Sequence, residues 1–230
     1  MIKDYLDVSY NIKSTPFTSY PFKLSNYLIK KFELNKGQKI LELGSGRAEL
    51  ATAFKKLGFK VTCLDNSNSA KRFAIENDLY FIGHEIKIDS KIPLPDETFD
   101  IILTKSFVEH FEDPSIIFFE AHRLLKPGGK FIVLTPDWQA NFKIFFDDIT
   151  HKTPFTVETM KQTLELHDFV NLSIFRFKQL PITWENKFME LLTSLIAPFV
   201  PVRTKRKFFR WSRELLLCGF GEKSNTLKPE

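Results

Sequence analysis

A glycine-containing turn between a strand pattern and a helix pattern constrains the fold more than any other part of this sequence. The apolar run Lys39–Leu43 predicts a buried strand, and helical spacing follows over residues 48–57. Between them, Gly44 and Gly46 allow the backbone to approach a ligand closely, while the amides that open the helix face that ligand. An ordinary turn without a ligand fits the same residues. The segment alone therefore predicts a βα unit and makes it a candidate for a small cofactor.

Strand and helix patterns alternate along the chain as far as residue 134. Strands are predicted at residues 60–64, at 80–83 or 85–88, at 99–104 and at 130–134, and helices at 24–32, 69–77 and 113–125. This βαβα order predicts a parallel sheet. Beyond Pro136 the pattern is weaker, with a helix at 156–167 and strands at 170–177 and 215–220. Since no repeat or Gly/Ser linker divides the chain, we expect one domain over residues 1–230, with 180–214 as a basic and aromatic insertion before the last strand.

Composition excludes several other classes of protein. With 43% hydrophobic and 27% charged residues, the chain is neither disordered nor fibrous in character. Cys63 and Cys218 lie in apolar runs without a partner spacing, so neither a disulfide nor a zinc site is expected, and no metal ligands are predicted. The N-terminal residues lack the pattern of a signal peptide, and the apolar stretch 191–202 is too short and too rich in proline to span a bilayer. We therefore expect a cytoplasmic protein.

The nature of the cofactor is narrowed by three acidic residues. A nicotinamide dinucleotide site needs a third glycine or alanine at the position that Glu49 occupies here. A carboxylate there would repel a pyrophosphate, whereas Glu49 and Glu42 both suit the positive charges of S-adenosylmethionine (SAM). Asp65, at the end of the second strand, can accept hydrogen bonds from both hydroxyls of a ribose, a feature that SAM and NAD sites share.

Three segments resemble motifs of the class I SAM-dependent methyltransferases, in the right order and at the right spacing. They are residues 40–46, residues 94–102 continuing into 106–110, and residues 124–129 with Lys126-Pro127-Gly128-Gly129, and the similarity extends over roughly residues 20–134. The resemblance implies an α/β fold, a Rossmann-like three-layer sandwich with a mostly parallel seven-stranded sheet whose last strand is antiparallel. It also implies that the chain is a SAM-dependent methyltransferase.

The same resemblance assigns a set of cofactor-binding residues. Glu42 would hold the methionine amino group through its surroundings, and Gly44, Ser45 and Gly46 would line the methionine and ribose. Asp65 would bind the ribose hydroxyls and Asn66 would lie beside the adenine. Asp89 would reach the adenine amino group, although the loop 88–95 is shorter than the usual pattern. Lys105 and Ser106 would border the transferred methyl group and the acceptor. The full set is Glu42, Gly44, Ser45, Gly46, Asp65, Asn66, Asp89, Lys105 and Ser106.

Two residues after the fifth strand are the catalytic candidates. Many family members have a stretch similar to residues 148–156 on the edge where acceptors bind. A hydroxyl acceptor needs a base, and His151 held by Asp148 would supply one. The alternative is that Asp148 and His151 only tie down a loop before the next helix. His110 is interpreted as a residue that positions a helix, because that is its more common role in the family.

The acceptor is predicted less directly. Residues 104–107 lack the Asn/Asp-Pro-Pro-aromatic signature used for amino groups of adenine or glutamine, which disfavours DNA amino methylation. The insertion interleaves aromatic and basic residues, an arrangement suited to an anionic membrane surface, although a helix packed on the sheet with its charges in solvent is the alternative. The basic residues in question are Arg203, Lys205, Arg206, Lys207 and Arg210.

The insertion also resembles C-terminal parts of methyltransferases that accompany cell-surface glycan and lipid-linked sugar synthesis. We therefore expect methylation, at oxygen, of a small-molecule, glycan or lipid-linked acceptor near the inner membrane face, with no nucleic acid as partner. Three alternatives stay open: a quinone-like metabolite, RNA, or a non-catalytic SAM-binding relative. An NAD-dependent oxidoreductase is a further rival class, which Glu49 disfavours.

Overall fold

Seven strands form one sheet in the order β3-β2-β1-β4-β5-β7-β6. The structure is a computed structural model that describes residues 4–10, 12, 15–87 and 90–225. The strands are Lys39–Leu43 (β1), Lys60–Asp65 (β2), Tyr80–Gly83 (β3), Phe99–Lys105 (β4), Leu125–Pro136 (β5), Phe169–Lys178 (β6) and Leu215–Lys223 (β7). Neighbouring strands from β3 to β5 pair in parallel, and β7 runs antiparallel to both β5 and β6. The predicted fold class is confirmed.

Helices lie on both faces of this sheet. They are Tyr5–Ser9 (α1), Tyr20–Lys31 (α2), Glu49–Lys56 (α3), Asn68–Glu76 (α4), Ser115–Leu124 (α5), Trp138–Asn141 (α6), Val157–Leu166 (α7), Ile182–Glu185 (α8), Lys187–Ile196 (α9) and Lys207–Arg213 (α10), with 3₁₀ turns at Val108–His110, Phe145–Asp147 and Ala197–Phe199. Ile40 and Leu41 are both fully buried although successive strand residues point to opposite faces. Ile40 belongs to the apolar core that includes residues of α2 and α3, and Leu41 belongs to the core on the other face, which includes residues of α5 and α7. Two apolar cores therefore cover the sheet, as parallel sheets require.

The strand and helix predictions differ from the structure mainly at element ends. The third strand is Tyr80–Gly83, not 85–88. The fifth strand begins at Leu125 rather than at residue 130, so the Lys-Pro-Gly-Gly segment does not separate helix from strand but forms an irregular extension of β5. Its conformation depends on Gly128, whose φ of 72° favours a residue without a Cβ atom.

The chain between β6 and β7 contains α8, α9 and α10. Lys178 at the end of β6 anchors this segment, because its Nζ donates to the Glu190 carbonyl and to the hydroxyls of Thr193 and Ser194 at 2.6–2.8 Å. Among the helices of the described residues, none is long and apolar enough to cross a bilayer.

Candidate cofactor and acceptor site

A cavity of about 930 Å³ opens where the carboxyl ends of β1, β2 and β4 meet. The sheet register explains the meeting point, since Leu43 pairs with Leu64 on one side and with Thr104 on the other. The residues one position further along each strand therefore lie side by side at one edge, where open α/β sheets bind ligands. All predicted cofactor residues within the described part of the chain line the cavity: Glu42, Gly44, Ser45, Gly46, Asp65, Asn66, Lys105 and Ser106. Asp89 lies outside the described residues.

The turn after β1 is shaped for close approach of a ligand. Gly44 and Gly46 have φ angles of 70° and 49°, which favour glycine. A Cβ atom on Gly44 would overlap Cδ2 of Phe107, so the ring of Phe107 occupies the space that a side chain would need. The hydroxyl of Ser45 is buried and has no hydrogen-bond partner among the described residues. A buried hydroxyl of this kind is satisfied when a polar ligand enters.

Asp65 connects the loop after β1 with the loop after β2 through hydrogen bonds. Its Oδ2 accepts from the amide of Gly46 and its Oδ1 from the amide of Ser67, both at 2.9 Å. Burial raises the pKa of Asp65, and these amides oppose the rise. Each carboxylate oxygen keeps a free lone pair, so the held carboxylate can still accept from two ribose hydroxyls.

Glu42 lies deeper, in β1 itself, and only 4% of its surface is exposed. Its Oε2 accepts from the amide of Ala51 in α3 at 2.9 Å. Burial raises the pKa of Glu42 to about 8, and this amide offsets only part of the effect. A cationic ligand in the cavity would favour the ionised form, which gives the cavity a chemical preference for positive charge.

Lys105 places an amino group on the same wall. Burial lowers the pKa of Lys105, while Glu109, Glu49 and Glu42 act in the opposite direction. Its Nζ lies 3.4 Å from the hydroxyl of Ser106.

The N-terminal segment covers the cavity, which the sequence did not indicate. Asp4 and Tyr5 line it, and Oδ2 of Asp4 accepts from the hydroxyl of Ser67 at 2.7 Å. Arg47 holds the following residues, because its Nη1 donates to the carbonyls of Tyr10 and Thr15 at 3.2 and 2.5 Å. Arg47 also pairs with Glu49 at 2.8 Å, so the charge of Glu49 is compensated within the protein. An arginine after the glycine turn carries no local signal of such a role, since its partners lie in a distant part of the chain.

The predicted hydrogen bond between Asp148 and His151 is not formed, because His151 Nε2 and Asp148 Oδ2 are 4.0 Å apart. Asp148 accepts instead from the hydroxyl of Tyr5 at 2.5 Å and from the hydroxyl and amide of Thr150 at 2.6 and 3.0 Å. Burial opposes ionisation of Asp148, but these hydrogen bonds outweigh it and hold its pKa below the ordinary value. His151 Nδ1 lies 2.7 Å from the carbonyl of Phe145, to which it donates. That His151 acts as a base stays a prediction.

His110, interpreted from the sequence as a residue that positions a helix, lines the cavity. Of the described residues on this side, His110 and Thr150 line the cavity, and Asp148 and His151 do not. Nδ1 of His110 is 2.8 Å from Oγ1 of Thr150. Because Thr150 gives its own hydrogen to Asp148, Nδ1 of His110 is the donor in this contact. Burial, and then the neighbouring His151, lower the pKa of His110.

A protein-family model matches part of the chain. The sequence model described as a methyltransferase domain matches residues 41–133, which contain most of β1, all of β2 to β4 and most of β5.

Curated relatives match the same region. The ubiquinone biosynthesis O-methyltransferase of Pasteurella multocida is 31% identical over 122 residues, which cover 47% of this chain and 50% of that protein. Phosphoethanolamine N-methyltransferase 3 of Arabidopsis thaliana is 28% identical over 145 residues, which cover 61% of this chain and 28% of that protein. The chain therefore aligns with half or less of the length of these relatives.

Solved structures share the fold over most of the chain. A SAM-dependent methyltransferase from Archaeoglobus fulgidus superposes with a TM-score of 0.64 at 20% identity, covering 88% of this chain and 94% of that one. The Haemonchus contortus phosphoethanolamine N-methyltransferase 2, solved with phosphomonomethylethanolamine and S-adenosylhomocysteine, has a TM-score of 0.61 at 16% identity and covers 98% of this chain and 61% of that one. At these identities the likeness concerns the fold.

Proposed function

We propose that this chain, of which residues 41–133 match a methyltransferase domain, is a SAM-dependent methyltransferase that transfers the methyl group of SAM to an oxygen of a small-molecule, glycan or lipid-linked acceptor. The observation that carries the proposal is that Glu42 and Asp65 line one cavity together with the glycine turn. Asp65, held by two amides at the end of β2, suits a ribose, and the buried carboxyl group of Glu42 adds the preference for positive charge that distinguishes SAM from NAD.

The residues present fit SAM. Glu42 and Asp65 favour a ligand with positive charge. The glycines with positive φ leave room for the methionine part of SAM, and Ser45 offers a hydroxyl without a hydrogen-bond partner among the described residues. When bound, SAM supplies an electrophilic methyl group that needs no further activation, and the protein mainly aligns the acceptor with it. Lys105 and Ser106, on the wall beyond β4, would lie against the acceptor.

Calorimetric titration with SAM and S-adenosylhomocysteine tests the cofactor, with NADH as the rival ligand. We expect micromolar binding of SAM to the wild type and at least a tenfold loss in Asp65→Asn, since a hydrogen bond to a charged group contributes about 1.5–3 kcal/mol. Asp78→Asn is the matched control, because Asp78 lies on the surface beside Lys55 and outside the cavity. Binding of NADH in place of SAM would overturn the proposal.

A quinone-like aromatic metabolite is the second candidate acceptor. The cavity wall beyond the cofactor residues is rich in aromatic rings, and two cations, Lys207 and Arg210, lie at its edge. The aromatic residues are Tyr5, Tyr10, Tyr20, Phe107, Phe111 and Trp211. A planar acceptor with an anionic group matches both features. The names of several curated relatives, which refer to ubiquinone biosynthesis, support the same class.

We further propose that the acceptor is reached at an anionic membrane surface, to which the chain binds peripherally. The support is the orientation of α9. Its apolar side chains at helical spacing are exposed, with exposed fractions of 71% for Phe188, 60% for Leu191 and 63% for Leu195. The opposite side packs inward through Thr193, whose hydroxyl accepts from the ammonium of Lys178. The alternative from the sequence, an apolar side packed on the sheet, does not apply to α9.

Positive charge follows this apolar stripe. Lys205, Arg206 and Lys207 are exposed further along the chain, at the start of α10, while Arg203 pairs with Asp147 and Arg210 approaches Glu214. An exposed apolar stripe next to basic residues is typical of helices that lie in the interface of anionic bilayers. Lys207 and Arg210 also border the cavity, so a bound bilayer would lie beside its entrance.

Co-sedimentation with vesicles tests this surface. We expect binding to vesicles that contain phosphatidylglycerol, weaker binding at high salt, and loss of binding in Leu191→Asp with Leu195→Asp. Leu166→Asp is the matched control, since Leu166 is an exposed leucine at the end of α7. Absence of wild-type binding at low salt, or equal loss in the control, would contradict the membrane proposal and leave the cofactor assignment intact.

A further inference from the structure

Three side chains that the sequence analysis did not group lie close together beside the cavity. Glu109 and His110 follow β4, and His151 comes from the loop after β5. One ligand atom from each lies within 4.8 Å of the other two. His110 also lines the cavity, so this cluster borders the space where the acceptor would bind.

Glu109 has an unused ligand atom inside the protein. The residue is 0% exposed, and its Oε2 accepts from the hydroxyl of Thr135 at 2.9 Å. Its Oε1 is buried and has no hydrogen-bond partner among the described residues. Leaving a carboxylate oxygen buried and unpaired is costly, and the ammonium of Lys105 does not bond to it. This oxygen points to a missing cationic or donor partner.

Each of the two imidazole rings is fixed by a hydrogen bond from its Nδ1 atom. His151 donates Nδ1–H to the carbonyl of Phe145, and His110 donates Nδ1–H to Thr150, which is itself held by Asp148. In a neutral ring whose Nδ1 carries the proton, Nε2 is unprotonated and can act as a ligand. Nε2 of His151 lies 4.0 Å from Oδ2 of Asp148. Metal-binding histidines are usually fixed in this way, through a hydrogen bond from the other ring nitrogen to a carbonyl or carboxylate network.

We propose that Glu109, His110 and His151 form a binding site for one divalent transition-metal cation, with Zn²⁺ or Mn²⁺ as the chemical class. Two imidazole nitrogens and one carboxylate oxygen are a ligand set of catalytic metal sites, which keep an open coordination position. Since His110 lines the cavity, the open position would face the acceptor. This departs from the sequence analysis, which predicted no metal ligands, because Glu109–His110 and His151 come from separate loops.

For the proposed methyl transfer, on which this role depends, the cation would bind an acceptor hydroxyl and lower its pKa. Loss of that proton to water would leave an alkoxide or phenolate oxygen, which would form the new bond to the methyl carbon. The bond from that carbon to the sulfonium sulfur would break at the same time, and its electron pair would stay on sulfur to give S-adenosylhomocysteine. The protein would then need no separate side chain as general base.

Titration of the tag-free, chelator-treated protein with ZnCl₂ and with CoCl₂ tests the site without reference to activity. We expect one tight equivalent per chain by calorimetry and visible Co²⁺ absorption bands. Affinity should fall at least 100-fold in His151→Ala and in Glu109→Gln, which keeps the shape and the Thr135 contact. His167→Ala is the matched control, because His167 lies outside the cluster and should bind like the wild type.

Failure of wild-type binding, or equal weakening in the control, would overturn the metal site. SAM titrations on the same preparations separate the two proposals. SAM binding without Zn²⁺ binding contradicts only the metal site, whereas loss of SAM binding in the folded wild type contradicts the proposed function.

Discussion

The residues that line the two halves of the cavity are distributed differently along the chain. The cofactor half comes from the ends of β1, β2 and β4, and its residues follow buried strands that pair directly in the sheet. The other half, where we propose that the acceptor binds and which we call the acceptor half, is assembled from Tyr5, His110, Thr150 and Trp211, which lie far apart in the sequence. Local pattern therefore specifies the first half, while only tertiary packing specifies the second. Substitutions that affect one half and spare the other test this division.

The largest effect is expected for Gly44→Ala in the cofactor half. The left-handed conformation costs a non-glycine residue about 1–2 kcal/mol, and the added Cβ would overlap the ring of Phe107. We expect a lower unfolding temperature and at least a 100-fold loss of SAM affinity by calorimetry. Gly37→Ala separates the two causes, because Gly37 has a φ of 85° with nothing within 4 Å of a new Cβ. Equal effects at both positions would show that close approach at Gly44 is unimportant.

The same division explains how far the sequence could predict the site. The alternation of elements gave the sheet, and parallel strands then bring Glu42, Asp65 and Lys105 to one edge. Asp148 and His151 come within 4.0 Å of each other but do not form the expected hydrogen bond, because spacing along the chain does not reveal competing partners. Tyr5 and Thr150 hold Asp148, and the carbonyl of Phe145 holds His151. The cover formed by α1 was missed for the same reason, since Arg47 binds backbone carbonyls, which no residue pattern identifies.

Glu42 provides the second prediction, on the pH dependence of stability. Its pKa is about 8 in the fold and about 4.5 when exposed, so the folded state binds the extra proton between these values. Stability of the free protein should therefore fall as pH rises from about 4.5 to about 8, by on the order of a few kcal/mol. Urea unfolding at pH 5.5 and pH 8 measures this slope, which Glu42→Gln should flatten. Parallel pH profiles for the two proteins would contradict burial of an ionisable Glu42.

Bound SAM should oppose this loss of stability, because its positive charge favours ionised Glu42. The affinity of the wild type for SAM should rise over the same pH range, and that of Glu42→Gln should change less. The pH dependence of SAM affinity therefore tests Glu42 through the ligand that the cofactor half binds.

Tyr5→Phe probes the acceptor half with a smaller effect. It removes the hydroxyl that donates to the Asp148 carboxylate and keeps the ring, so about 1.5 kcal/mol of unfolding free energy should be lost, the low end for a hydrogen bond to a charged group. SAM affinity should change less than threefold, because the hydroxyl of Tyr5 bonds to the loop after β5. Calorimetry and urea unfolding check both parts. A large loss of SAM affinity would show that the two halves are coupled through α1.

The smallest effect is expected at the ion pair between Asp147 and Arg203, which ties the loop after β5 to the segment between β6 and β7. Both side chains are largely in solvent, where screening and side-chain entropy cancel most of the attraction. Asp147→Asn should therefore leave the urea midpoint indistinguishable from the wild type at physiological salt. The same change at Asp137 makes a contrast, since that carboxylate is buried, accepts from the amide of Ala140 and pairs with Arg176. Asp137→Asn should cost at least about 1 kcal/mol. Equal urea midpoints for the two variants would mean that burial does not determine what these two carboxylates contribute to stability. A lower midpoint for Asp147→Asn alone would mean that the ion pair with Arg203 stabilises the fold.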